Sequence, residues 1–255
     1  MRNWKTKSGY TVVQVLSGRS NVFLLSNDHS CVLIDTSPLR KRDKLNRNLA
    51  RLRIKKLDLL LLTHTHFDHA ANAKSIKETY GAPVAVHHSE KDFLQKGLNH
   101  FPRGTNPFTR LLINSLGDRL SARFDFPPCE PDILIDSVWE LKDLGFHAYV
   151  LPTPGHTVGS VSLIIDDEIA LVGDAMFGVF PHSILPPFAD HPDRLVESWG
   201  LLLKTNCSLF LPAHGFGNSR EKVQKNYERF TTTTTGQGIM STAVSVFESQ
   251  QVPVV

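Results

Sequence analysis

Seven residues, Thr63-His64-Thr65-His66-Phe67-Asp68-His69, constrain this chain more than any other stretch. They place four metal-donor candidates (His64, His66, Asp68 and His69) directly after the run Leu57–Leu62, which is apolar apart from Asp58. Such a run reads as a strand buried on both faces. In an extended chain His64 and His66 project the same way. Asp68 and His69 come where a turn into a helix from Ala70 swings them toward a second point. One segment can therefore supply two metal positions, with imidazole and carboxylate donors that suit zinc, and also iron or manganese.

The same placement recurs three more times. His156 lies in Pro152-Thr153-Pro154-Gly155-His156-Thr157, after the strand-like run Ala148–Leu151, and Gly155 permits a close backbone approach there. Asp174 follows Ile169–Val172 and Gly173, and His214 follows Ser208–Leu211 in Pro212-Ala213-His214-Gly215. Each time an apolar strand delivers a donor at its exit. Strand ends gathered along one edge would bring all of them together.

The remaining pattern supplies the sheets and their cover. Tyr10–Leu16, Asn21–Leu25, Cys31–Asp35, Val84–Val86, Asp132–Ile135 and Val161–Ile165 read as further strands. Leu45, Leu49 and Leu52 recur at helical spacing in the charged run Arg40–Leu52. Helices are also expected over Ala70–Tyr80, Phe108–Leu116, Pro192–Lys204 (Pro192 suits a first turn) and Arg220–Phe230. This order predicts an α/β fold, two sheets packed between outer helices. It predicts one domain over residues 1–230 with an irregular, proline-rich insert at about 97–131. Phe101, Phe108, Leu111 and Leu112 suit that insert to be a lid over the site, or a small satellite core. Residues 231–255, opened by Thr231–Thr235, read as a solvated or loosely docked Thr/Ser/Gln-rich tail.

Composition narrows the chemistry further. Cys31, Cys129 and Cys207 are widely separated and odd in number, which indicates neither a cysteine zinc cluster nor a disulfide framework. No secretory leader and no membrane-length apolar run is visible, so the cytoplasm is the default expectation. A net charge of +3 does not by itself point to nucleic acid or a membrane, and would not repel an anionic substrate.

With His-x-His-x-Asp-His, a later Gly-His, a Gly-Asp after a strand and a final His-Gly in this order, the chain resembles the metallo-β-lactamase fold superfamily from about Tyr10 to Phe230. The resemblance implies a four-layered αββα sandwich. It implies that His64, His66 and His156 hold one metal, that Asp68, His69 and His214 hold a second, and that Asp174 bridges both. Two zinc ions are the expected cofactors, with iron or manganese as alternatives. Asp35, in Leu33-Ile34-Asp35-Thr36, takes a structural role beside the site. Asp68 is also the catalytic candidate, orienting or accepting the proton of a metal-bridging water that attacks as hydroxide. His182 and Phe177, on the Phe177–Phe188 stretch, are candidate substrate contacts. His29, His87, His88, His100, His147 and His191 are expected to be ordinary core or surface residues.

Branches of the superfamily separate on single residues. The di-iron flavoprotein branch has Glu at the position of His66, and the true β-lactamases have Cys or Ser at that of Asp174. The RNA-processing branches carry an inserted domain or a clamping arm. Gly173-Asp174-Ala175-Met176-Phe177 is similar to the Gly-Asp-x-x-Phe of glyoxalase II-like thioesterases. Ala70-Ala71-Asn72 departs from their Ala-Gly-Gly-Asn, and no basic helical domain for glutathione follows. The expectation is a binuclear hydrolase of a small ester, thioester or lactone. The alternatives are an iron-dependent persulfide dioxygenase-like enzyme or a metal-dependent nuclease. The expected partner is a small-molecule substrate, without nucleic acid or membrane. Oligomeric state stays open, a dimer included.

Overall fold

The apolar strands assemble into two sheets, seen in a computed structural model that describes residues 1–235 apart from 19, 106–108, 110, 112, 114 and 116–120. The first sheet runs in chain order: β1 (Asn3–Lys5), β2 (Thr11–Leu16), β3 (Val22–Ser26), β4 (Cys31–Ile34), β5 (Leu59–Leu61), β6 (Val84–His87) and β7 (Ile133–Ile135). Its first four strands are antiparallel and its last four parallel. Parallel neighbours need crossovers. Helix α1 (Arg42–Arg51) carries β4 to β5, and α2 (Phe67–Ala70) with α3 (Ala73–Tyr80) carries β5 to β6. A six-residue α4 (Lys91–Lys96) follows β6.

The second sheet is built from β8 (Trp139–Glu140), β9 (Ala148–Pro152), β10 (Val161–Ile165), β11 (Ile169–Gly173), β12 (Leu209–Pro212) and β13 (Asn218–Ser219), again neighbouring in sequence order. Strands β11 and β12 are parallel, joined through α5 (Pro192–Lys204). Helix α6 (Arg220–Thr235) closes the described chain.

Three apolar layers show how these parts stack. Leu25, Ile34 and Leu61 of the first sheet meet Val150, Leu163 and Leu171 of the second in one buried cluster between the sheets. Leu45, Leu49 and Ile76 of α1 and α3 cover the other face of the first sheet with Leu24, Leu33 and Leu60. Leu195, Trp199, Leu202 and Val223 of α5 and α6 cover the second sheet over Ile164, Val172 and Phe210. The order is helix, sheet, sheet, helix, as expected.

The differences from the sequence reading lie in the short and marginal pieces. Strands β1, β8 and β13 and helix α4 carry too few residues for a period to show. Helix α6 continues through Thr231–Thr235 rather than stopping at Phe230. Thr231 and Thr232 donate their hydroxyls back to the carbonyls of Tyr227 and Glu228, a bond that threonine makes inside a helix turn. Most of the helix expected at Phe108–Leu116, with Phe108 and Leu112 themselves, and residues 236–255 of the tail lie outside the described residues. Leu111 is exposed, and Phe101 packs its ring against Phe67 and Phe124. Among the described residues no helix is long and apolar enough to cross a membrane.

Candidate metal centre

The two sheets are tied together at the edge where β5, β9, β11 and β12 end. Val161 donates its N–H to Thr63 O (2.9 Å), and Asn21 donates its N–H to Ala213 O (2.6 Å). The Asn21 side chain adds bonds to Pro212 O (2.9 Å) and Gly215 O (3.0 Å). These links bring the donor loops of both sheets to one place.

Donor atoms converge there in overlapping groups. His64, His66 and His156 form one, His64, His69 and Asp174 a second, and Asp68, His69 and His214 a third, with the donor atoms of each within 4.8 Å of one another. His66 Nδ1 lies 2.9 Å from His64 Nε2 and 3.1 Å from His156 Nε2. Asp174 stands between the groups: Oδ1 is 3.5 Å from His69 Nε2, and Oδ2 is 3.3 Å from both His156 Nε2 and His214 Nε2. All seven residues named as ligand candidates are thus brought together.

Local structure sets each side chain. His66 keeps an extended backbone (φ −65, ψ 153), and α2 starts at the next residue, so Asp68 and His69 leave the line of the strand. Gly155 precedes His156 at φ +138, and a Cβ there would lie 2.4 Å from Leu195 Cα of α5. Gly173 precedes Asp174 at φ +51, and its Cβ would meet Thr63 at 2.7 Å. Only glycine combines that backbone with that proximity.

A supporting set fixes the rings. Asp35, itself at φ 62, accepts from Thr63 N–H (2.8 Å), Thr63 Oγ1 (2.8 Å) and His69 Nδ1 (2.9 Å). This leaves His69 Nε2 facing the centre. His156 Nδ1 donates to Phe188 O (2.8 Å), which turns its Nε2 toward the centre in the same way. Glu90 accepts from the N–H and hydroxyl of Thr65, bracing the residue between His64 and His66. Asn72 ties Thr36, Ser37 and Pro38 to the helix that follows the motif. Outer partners of this kind usually affect metal affinity as well as orientation. Asp35→Asn is accordingly expected to weaken metal affinity by about 10–100-fold, read by chelator competition. Unchanged affinity would show that Asp35 serves the fold alone.

The residues fit a divalent cation in their hydrogen bonding, their charge and their spacing. His69 Nε2 and Asp174 Oδ1 are buried and, among the described residues, have no hydrogen-bond partner, an arrangement that proteins rarely leave uncompensated. Burial, reinforced by the neighbouring rings, holds His64 and His66 well below the ordinary histidine value, so both offer neutral lone pairs. Burial alone would raise Asp174, yet His214, His69 and His156 hold it well below the usual carboxylate range. Burial likewise opposes charge on His69, but Asp174, Asp35 and Asp68 push it up to about 10. Three carboxylates among five imidazoles call for positive charge at this point. Nitrogen donors about 3 Å apart also suit a cation bound at about 2.0–2.1 Å.

Beside His66 opens a cavity of about 310 Å³, lined by Thr65, Glu90, Phe93, His100, Val158 and Asp190 among others. His100 Nε2 lies 3.3 Å from Asp190 Oδ1, and Asp190 N–H bonds to His156 O. Phe177 packs its ring against His214 with centroids 4.4 Å apart, which places it beside the centre. His182 does not. It is exposed and, among the described residues, has no hydrogen bond, ion pair or ring contact. The chain turns outward at Val179 and Phe180, both exposed, after Gly178 pairs with the His214 loop. His100, read from sequence as an ordinary histidine, takes the cavity position instead. It carried no local signal, because Asp190 is distant in the chain.

A sequence profile of the metallo-beta-lactamase superfamily matches residues 17–214. The probable metallo-hydrolase YqgX of Bacillus subtilis is 29% identical over 160 residues, 62% of this chain and 67% of that protein. The hydroxyacylglutathione hydrolase GloC of Haemophilus influenzae is 27% identical over 172 residues, covering 65% and 71%. Among solved structures, a metallo-beta-lactamase of Cronobacter sakazakii superposes with a TM-score of 0.64 over 94% of this chain and 96% of that one. At 18% identity the last likeness speaks for the fold alone.

Proposed function

This chain belongs to the metallo-beta-lactamase superfamily, and from that footing we propose a hydrolase that holds two divalent ions, zinc foremost, and cleaves a small ester, thioester or lactone. The observation that carries it is the position of Asp174, whose carboxylate reaches His156 of one group and both His69 and His214 of the other. On this reading His64, His66 and His156 hold one ion, Asp68, His69 and His214 the other, and Asp174 touches both. When bound, such a pair lowers the pKa of a shared water and polarises a carbonyl oxygen.

The chain's own residues supply the rest. Asp68 reaches His214 with one oxygen (3.5 Å) and His69 with the other (3.9 Å), and stays partly open to solvent. On this reading it orients an attacking water and takes its proton. Asp35 and the Phe188 carbonyl fix the tautomers of His69 and His156. The cavity beside His66 receives the organic part of the substrate, with Phe93 and Val158 as its apolar wall and the His100–Asp190 pair as its polar one. Its volume suits a small ligand. The similarity to a hydroxyacylglutathione hydrolase makes thioesters the first arm to try.

The test is elemental analysis of the purified protein combined with an ester, thioester and lactone panel. About two zinc ions per chain, with turnover on the panel, is the expected result for a two-metal hydrolase. A single iron with oxygen consumption on persulfides would overturn it.

A further inference from the structure

A second cavity carries chemistry that the metal centre does not use. Its volume is about 700 Å³, and it lies between β2, the turn at Ser17 and Gly18, α1, the first two residues and Gly215-Phe216. Arg2, Lys44 and Arg51 line it, and among the described residues no carboxylate does. Among the described residues none of these three has an acidic partner, whereas Lys56, Lys77, Lys96 and Lys142 each pair with a neighbouring Asp or Glu. Residues 40–56 hold nine lysines and arginines against one acid, Asp43, in a chain of net charge +3. Like charges gathered in this way repel one another, and an anion between them relieves that repulsion.

The other walls narrow the class of anion. Gln14, Ser17, Asn21 and Asn48 add neutral polar groups. Phe216 is 64% exposed, and the Arg2 guanidinium sits 5.0 Å from its ring centroid. We propose that this cavity binds a phosphate-bearing small molecule. A phosphate group carries up to two negative charges and three strong acceptor oxygens, which match three cationic donors better than a single carboxylate does. The space exceeds a bare phosphate and falls in the range of organic ligands, and Phe216 provides a face for the organic part.

The site stands whether or not the centre is a hydrolase. It nevertheless adjoins that centre: Gly215 and Phe216 directly follow His214, and Asn21 binds the same loop. The phosphate therefore belongs either to the substrate itself or to a separate ligand.

The experiment is calorimetric titration of the metal-loaded protein with phenylphosphonate, a phosphate mimic that carries a ring and resists hydrolysis. Lys44 and Arg51 are exposed, so K44A/R51A is expected to fold, checked by its unfolding midpoint and metal content. K55A/K56A removes the same charge from outside the cavity. Affinity is expected to fall by about tenfold or more in K44A/R51A, since charge-assisted bonds are the strong ones, and to stay within about twofold in K55A/K56A. Equal affinity in all three proteins, or no binding to the wild type, overturns the proposal. If K44A/R51A alone also raises KM for a phosphorylated ester, the cavity holds the substrate's own phosphate. An unchanged KM beside the lost affinity assigns it to a separate ligand.

Discussion

Asp174→Asn is expected to strip most of the bound metal and to lower hydrolysis by about a thousandfold or more, beyond the ~10–100-fold that loss of a supporting partner costs. The side chain is 5% exposed, and its nearest charged or ionisable neighbours are His69, His156 and His214. Asparagine keeps the shape but removes the charge, and its NH2 group would point a donor where a cation has to sit. Elemental analysis and a rate on the best panel substrate report the two effects separately. Full metal content with a lost rate would make Asp174 an orienting group. Full metal content with a full rate would remove it from the centre altogether.

The second large effect is structural and starts away from the metal. Trp199 of α5 is fully buried and donates its indole N–H to Ala175 O (2.6 Å), directly beyond Asp174. The same helix packs Leu195 against Gly155, and Ser198 donates to Pro154 O (2.7 Å). Helix α5 thus clamps the loops of both His156 and Asp174. Trp199→Ala is expected to cost about 3–5 kcal/mol from the cavity it leaves, with more from a carbonyl deprived of its donor. A lower urea midpoint at unchanged slope is the readout. Trp199→Phe keeps much of the packing and loses the hydrogen bond, so it is expected to loosen metal binding more than it lowers stability. A midpoint unmoved by Trp199→Ala would mean that α5 is not the clamp described.

How much could be read beforehand follows from where each signal resides. The segment from Thr63 to His69 was legible because strand, turn and donors are consecutive. The exits at His156, Asp174 and His214 were legible because each follows its own apolar run. Strands such as Val161–Ile165 and helices such as Pro192–Lys204 appeared in full, since their patterns are long enough to repeat. Strands β1, β8 and β13 escaped, because two or three residues become a strand only through the neighbour they pair with.

The supporting network was the least visible part. The bond from His69 to Asp35 joins positions 34 residues apart, and the bonds from Thr65 to Glu90 span 25. No local pattern announces such pairs. Nor could the sequence say that His182 turns out to solvent while His100 meets Asp190, or that Lys44 and Arg51 share a cavity with Arg2.

By itself, then, the sequence determined which residue types leave the strands, in what order, and that α-helices must cover two sheets. Hydrophobic periodicity and donor chemistry are local properties and survive in one dimension. Only the tertiary structure decided which nitrogen of each ring faces the centre, which carboxylate braces it and which cations, among the described residues, lack an acidic partner. Those outcomes depend on distances between chain-distant atoms, and such distances exist only once the two sheets have closed at their common edge.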